Sequence, residues 1–121
     1  SELVVLADAT ADAALAAADL LAQAEHDPDA VPVLVAVGAG VAGAVDAELA
    51  RQLDSLPTAD VARAALANGG AVVVDSLDAG IAACDLLAPE HLEVMTDEAD
   101  AIAGRLRHYG GLFVGPASAE V

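Results

Sequence analysis

Five short apolar runs, spaced by stretches of helix length, constrain this chain more than any other feature. Leu3-Val4-Val5-Leu6-Ala7, Val33-Leu34-Val35-Ala36-Val37, Ala71 to Val74, His91 to Met95 and Leu112-Phe113-Val114 read as strands. Most of these runs are continuous rather than alternating, as expected of strands buried on both faces. Thr10 caps a helix that runs to about His26, where Asp27-Pro28 stops it. A second helix covers roughly 41–54 and is broken by Pro57. Thr58 starts a third, which ends at Asn68-Gly69-Gly70. Ser76 or Asp75 caps a fourth to about Leu87, and Thr96 caps a fifth that ends at Gly110-Gly111. Buried strands joined by crossover helices predict a mostly parallel sheet covered on both sides. The expected fold is a Rossmann-like three-layer α/β sandwich, a single domain over residues 1–121.

The core of such a sandwich has to be built from small aliphatic side chains. Hydrophobic residues make up 57% of the sequence but aromatics only 2%, and there is no Trp. Ala, Val and Leu bury little area each, so modest stability is expected of the isolated chain. Cys84 is the one cysteine, which excludes an internal disulfide. Its Ala-rich helical setting suits a small buried hydrophobe rather than a nucleophile.

Charge excludes two classes of partner. The net charge is −16, with no lysine and only Arg51, Arg63, Arg105 and Arg107 on the basic side. Such a surface repels nucleic-acid phosphates and anionic lipid. It is the surface of a protein that stays hydrated in concentrated salt, as in a halophilic cytoplasm. No apolar run reaches the ~18 residues of a membrane span, and no targeting segment is visible. A cytoplasmic location is expected.

Two short segments carry the candidate chemistry. In Gln23-Ala24-Glu25-His26 the first and last residues stand three apart, on one helix face and one turn apart. An imidazole beside an amide oxygen can hold a divalent metal. Ala88-Pro89-Glu90-His91-Leu92-Glu93 places a carboxylate and a second imidazole on a loop closed by Pro89, a common place for acid–base work. Taken alone, His26 is a helix-terminal histidine favoured by the dipole, and Gln23 an exposed helical glutamine. His108 and Tyr109, before Gly110-Gly111, read as structural capping.

A third segment competes with these. Gly38-Ala39-Gly40-Val41-Ala42-Gly43 is a literal G-x-G-x-x-G between a strand and a helix. Its use would be a tight turn that lets a pyrophosphate approach the helix N-terminus. An extra helix intervenes before Val72-Val73-Val74-Asp75, where the ribose-binding acid should follow, and an Ala/Gly/Val-rich chain produces the pattern easily. The alternative function is a stand-alone nucleotide-binding module using this loop. A third possibility is a domain that acts only through assembly.

In spacing and company the Gln23–His26 and Glu90–His91 segments resemble histidinol dehydrogenase, the zinc- and NAD-dependent enzyme that ends histidine biosynthesis. The likeness extends to Ser1-Glu2-Leu3-Val4-Val5, to Arg51-Gln52-Leu53 with Leu56-Pro57, and to Gly110-Gly111-Leu112-Phe113-Val114-Gly115-Pro116. The resemblance implies that Gln23 and His26 are zinc ligands and that Ser1, Gln23, His26 and His91 contact L-histidinol. It implies that His91 is the base in both oxidations and that Glu90 activates water for the second. It also implies a homodimer, with the remaining zinc ligands and the NAD-binding residues outside this segment. On that basis the chain is expected to be truncated at both ends, to bind zinc weakly and to be inactive alone. Ligands in such sheets usually sit at the carboxyl ends of strands, whereas Ser1 precedes its strand.

Overall fold

Why these residues form a parallel sheet is visible in the chain order, where a helix separates every strand from the next. The computed structural model describes residues 2–97, 99–107 and 111–115. The elements are β1 (Glu2–Ala7), α1 (Ala13–Ala24), β2 (Val31–Val37), α2 (Ala39–Leu53), α3 (Ala59–Asn68) and β3 (Gly70–Val74). They continue with α4 (Leu77–Leu87), β4 (His91–Met95), α5 (Ala99–Ala103) and β5 (Gly111–Gly115). The strands form one five-stranded sheet in the order β3-β2-β1-β4-β5, and every pairing is parallel. The expected Rossmann-like α/β sandwich is the fold found.

Alternate residues of the central strands feed two cores. Leu3, Val5 and Ala7 pack with Leu34 and Ala36 under Ala16, Ala17 and Leu20 of α1 and Val45 of α2. Val4, Leu6, Val35, Leu92 and Val94 face the other way, onto Ile81 and Cys84 of α4 and Ile102 of α5. Fully buried alanines at 16, 17, 24, 62 and 65 let α1 lie close to the sheet and α3 close to α1. Aliphatic burial of this kind stabilises by roughly 1.5–3 kcal/mol for each fully buried Val or Leu.

Two expected helix boundaries move, each for a visible reason. Asp12, not Thr10, caps α1: its carboxylate accepts from the N–H groups of Ala14 (2.9 Å) and Leu15 (3.3 Å). Thr10 is engaged elsewhere, its N–H and hydroxyl both donating to Asp8 Oδ1. The buried Thr96 hydroxyl likewise donates to Asp8, at Oδ2, 2.5 Å away. α5 then ends at Ala103 rather than at Gly110-Gly111. The Arg105 N–H turns back to Ile102 O, and Asp85 of α4 accepts the Arg107 N–H at 2.9 Å. Ser76 does cap α4, accepting from Ala79 N–H at 3.1 Å.

Gly69 ends α3 without the left-handed turn that a helix-terminal glycine suggests, having φ −99°. Its reason is proximity: a Cβ there would fall 1.7 Å from the Pro32 carbonyl oxygen of β2. No helix among the described residues is long and apolar enough to cross a membrane.

Candidate functional site at the amino edge of the sheet

Strand direction decides which candidate residues come together. β1 and β4 are neighbours in register Leu3↔His91, so Glu2 and Glu90 stand side by side just before the ladder begins. α1 leaves the carboxyl end of β1 and runs back to the opposite edge, where β2 starts at Val31. The end of α1 and the starts of β1 and β4 therefore share the amino edge of the sheet. Gln23, His26, Glu90 and His91 all lie there. Ser1 and the His108-Tyr109 pair lie outside the described residues.

The faces agree as well as the edge. His91, Glu93 and Met95 project beside Leu3, Val5 and Ala7, the face covered by α1. On α1, Ala16 and Leu20 point at that face, and Gln23 continues their stripe by one more turn, half-buried. His26 is exposed in the turn that follows the helix. Asp29 in the next loop reaches the β4 start, because Glu2, Asp29, Val31, Ala88 and Glu90 line one open depression of about 480 Å³. Gln23, His26 and His91 are not among its lining residues.

The Glu90–His91 turn is held from several directions. Ala88 ends α4 in the left-handed conformation, φ 45° and ψ 57°, with its N–H donating to Cys84 O at 2.9 Å. A non-glycine there costs about 1–2 kcal/mol, and the fully buried Pro89 follows it. The Glu90 carbonyl accepts from Gly111 N–H of β5 at 2.8 Å. Glu90 N–H donates to Glu2 Oε1, and Glu2 N–H donates to Glu90 Oε1, both at 3.4 Å. The His91 ring packs over Gly111, its Cδ2 3.5 Å from where a Cβ would stand. His91 Nδ1 is buried, 3.7 Å from Glu90 Oε1.

As candidate donors for a divalent metal, Gln23 offers a hard amide oxygen at the end of α1 and His26 a borderline imidazole nitrogen in the turn beyond it. Among the described residues no three His, Cys, Asp or Glu side chains group closely enough to hold a metal. The segment thus offers a two-donor set.

The opposite, carboxyl edge is built differently. Where β1 and β4 diverge, the usual crevice for ligands, the chain stitches itself shut. Asp8 takes the Thr96 and Thr10 hydroxyls, and Thr10 Oγ1 takes the Asp97 N–H at 3.0 Å. Gly38 does adopt a turn only glycine tolerates well, φ 105°, and opens α2. Its N–H, however, donates to Val74 O at 2.8 Å. The adjoining hollow of about 380 Å³ includes Asp8, whose charge opposes a phosphate. The glycine loop therefore gains no support as a nucleotide site.

Comparison with known proteins gives the chain a family. A family model described as histidinol dehydrogenase matches residues 1–121. The chain belongs to the histidinol dehydrogenase family. It is 55% identical over 116 residues to a histidinol dehydrogenase of Nitratidesulfovibrio vulgaris, covering 95% of this chain and 27% of that protein. Against the Geobacillus kaustophilus histidinol dehydrogenase it is 52% identical, over 99% of this chain and 28% of the relative. The crystal structure of histidinol dehydrogenase from Elizabethkingia anophelis superposes with a TM-score of 0.93 at 34% identity, covering 98% of this chain and 28% of that one. The chain spans little more than a quarter of the length of these histidinol dehydrogenases.

Sequence reasoning passed over two residues of this edge. Glu2 was read only as part of a strand-starting motif, yet it contacts a residue 88 positions away. Glu93 is 6% exposed and sits two residues along β4 from His91, on the same face. Its place in a Pro-Glu-His-Leu-Glu segment gave the only available signal.

Proposed function

We propose that this chain is the zinc- and substrate-holding part of an NAD-dependent histidinol dehydrogenase, which oxidises L-histidinol to L-histidine. One observation carries the reading: the end of α1 and the start of β4, far apart in sequence, share one sheet edge and one sheet face. Gln23 and His26 are the metal donors, and with Ser1 and His91 they contact the substrate. When bound, zinc holds and polarises the amino alcohol and NAD takes up hydride. His91 takes the substrate hydroxyl proton at Nε2, as the general base of the oxidation. Glu90 serves the second oxidation by drawing a proton from the attacking water.

The segment is one domain of a larger cytoplasmic enzyme, a homodimer that completes the zinc and NAD sites with residues beyond these. It binds neither nucleic acid nor membrane, in keeping with its charge. The 121-residue chain alone forms no NADH from histidinol. In the full-length enzyme, His91→Asn lowers kcat by about 10²–10⁴-fold and leaves zinc content unchanged. His26→Ala and Gln23→Ala lower the zinc content. Full activity of His91→Asn, or an undiminished zinc content in both other variants, would contradict the assignment.

A further inference from the structure

We infer that Glu2 is a positioning residue that fixes the Glu90–His91 turn, an inference that rests on the proposed roles of those two residues. Glu2 and Glu90 occupy matching places on neighbouring parallel strands, one residue ahead of the first ladder pair, Leu3↔His91. The β1–β4 ladder has not begun at that point, although Glu2 already pairs with Val31 of β2, and each glutamate accepts the N–H of the other. Glu2 Oε1 accepts the Glu90 N–H and Glu90 Oε1 accepts the Glu2 N–H, both at 3.4 Å. The result is a reciprocal clasp across two strand starts.

The clasp does two things for the site. It fixes the backbone of Glu90 on the β1 side, as the Gly111 N–H does on the β5 side. It also turns the Glu90 carboxylate so that the same Oε1 stands between the Glu2 N–H and His91 Nδ1, 3.7 Å from the latter. Glu2 is exposed, so burial in the core does not explain its contacts. Two carboxylates side by side in a chain of net charge −16 repel each other. The arrangement is a cost to the fold, and positioning the turn is what it provides.

The test uses Glu2→Ala and Glu2→Gln in the full-length enzyme. Glutamine keeps the acceptor oxygen for the Glu90 N–H, whereas alanine removes it. Glu2→Ala is expected to lower kcat roughly 10-fold or more, as misplacement of a reacting group does. Zinc content, melting temperature and KM for NAD should stay at parental values, and Glu2→Gln should restore most of the rate. Hydrogen exchange of the peptide over residues 86–95, read by mass spectrometry, should quicken in Glu2→Ala and not in Glu2→Gln. Parental kcat together with parental exchange in Glu2→Ala would overturn the inference, as would Glu2→Gln falling as far as Glu2→Ala. Glu90→Gln separates the two levels of the account. If that variant keeps full activity, the catalytic role of Glu90 fails, while the exchange data still decide whether Glu2 holds the turn.

Discussion

At the scale of single residues, the two histidines and the cysteine show how setting decides role. His26 and His91 are both partly open to solvent, one past a helix end and one at a strand start beside a carboxylate. Cys84 is wholly enclosed between α4 and the sheet, and burial pushes its thiol up to about 12 from an ordinary 9.0. It is structural, and in the native protein it should resist alkylation until the fold opens. The raised value also fixes the sign of a pH effect. The unfolded thiol ionises first, so the associated stability is complete below pH 9.0 and is lost as the pH rises towards about 12. Denaturant titrations across that range should show a steeper alkaline loss for the parent than for Cys84→Ala, and equal slopes would contradict the burial argument.

At the scale of elements, the strands and helices were legible from the sequence, while their ends depended on long-range partners. The apolar runs located all five strands, but two-sided burial does not extend to β3, which is largely exposed at the sheet edge despite its apolar sequence. Thr10 looked like a cap because a hydroxyl before a helix usually is one, but Asp8 captured it and Asp12 caps α1 instead. Asp12 took over at the start of α1, so Asp12→Ala should cost about 1 kcal/mol, measured as a lower melting temperature, while Thr10→Ala should leave α1 capped. Gln52 shows the same effect of distance: its amide donates to Ala14 O of α1 at 3.0 Å and to Glu48. Gly69 was expected for its left-handed freedom and is required instead by the Pro32 carbonyl. Gly69→Ala should therefore cost about 3 kcal/mol, and a stability within error of the parent would contradict the close approach.

At the scale of the whole molecule, an acidic surface encloses a thin aliphatic core. Arg51, Arg63 and Arg105 each face a carboxylate, Glu48, Asp60 and Asp78, and such exposed pairs contribute little. The remaining negative charge repels itself, so added salt should stabilise by screening. The melting temperature should rise from dilute buffer to molar potassium chloride, and a flat or falling response would oppose a high-salt setting. The sequence also singled out the candidate residues, through the Gln-Ala-Glu-His and Pro-Glu-His-Leu-Glu segments. It did not show on which edge they meet, because that follows from strand order, with β4 inserted beside β1. Nor did it show the Glu2–Glu90 clasp, which exists only once those strands are paired.

The central claim is that the end of α1 and the start of β4 serve one substrate. Crystals of the full-length enzyme with histidinol, measured at the zinc absorption edge, test it directly. The account predicts an anomalous peak within coordination distance of Gln23 Oε1 and a His26 ring nitrogen, with the substrate hydroxyl within hydrogen-bond reach of His91. Zinc bound away from Gln23 and His26, or histidinol seated at the carboxyl edge near Gly38, would contradict it.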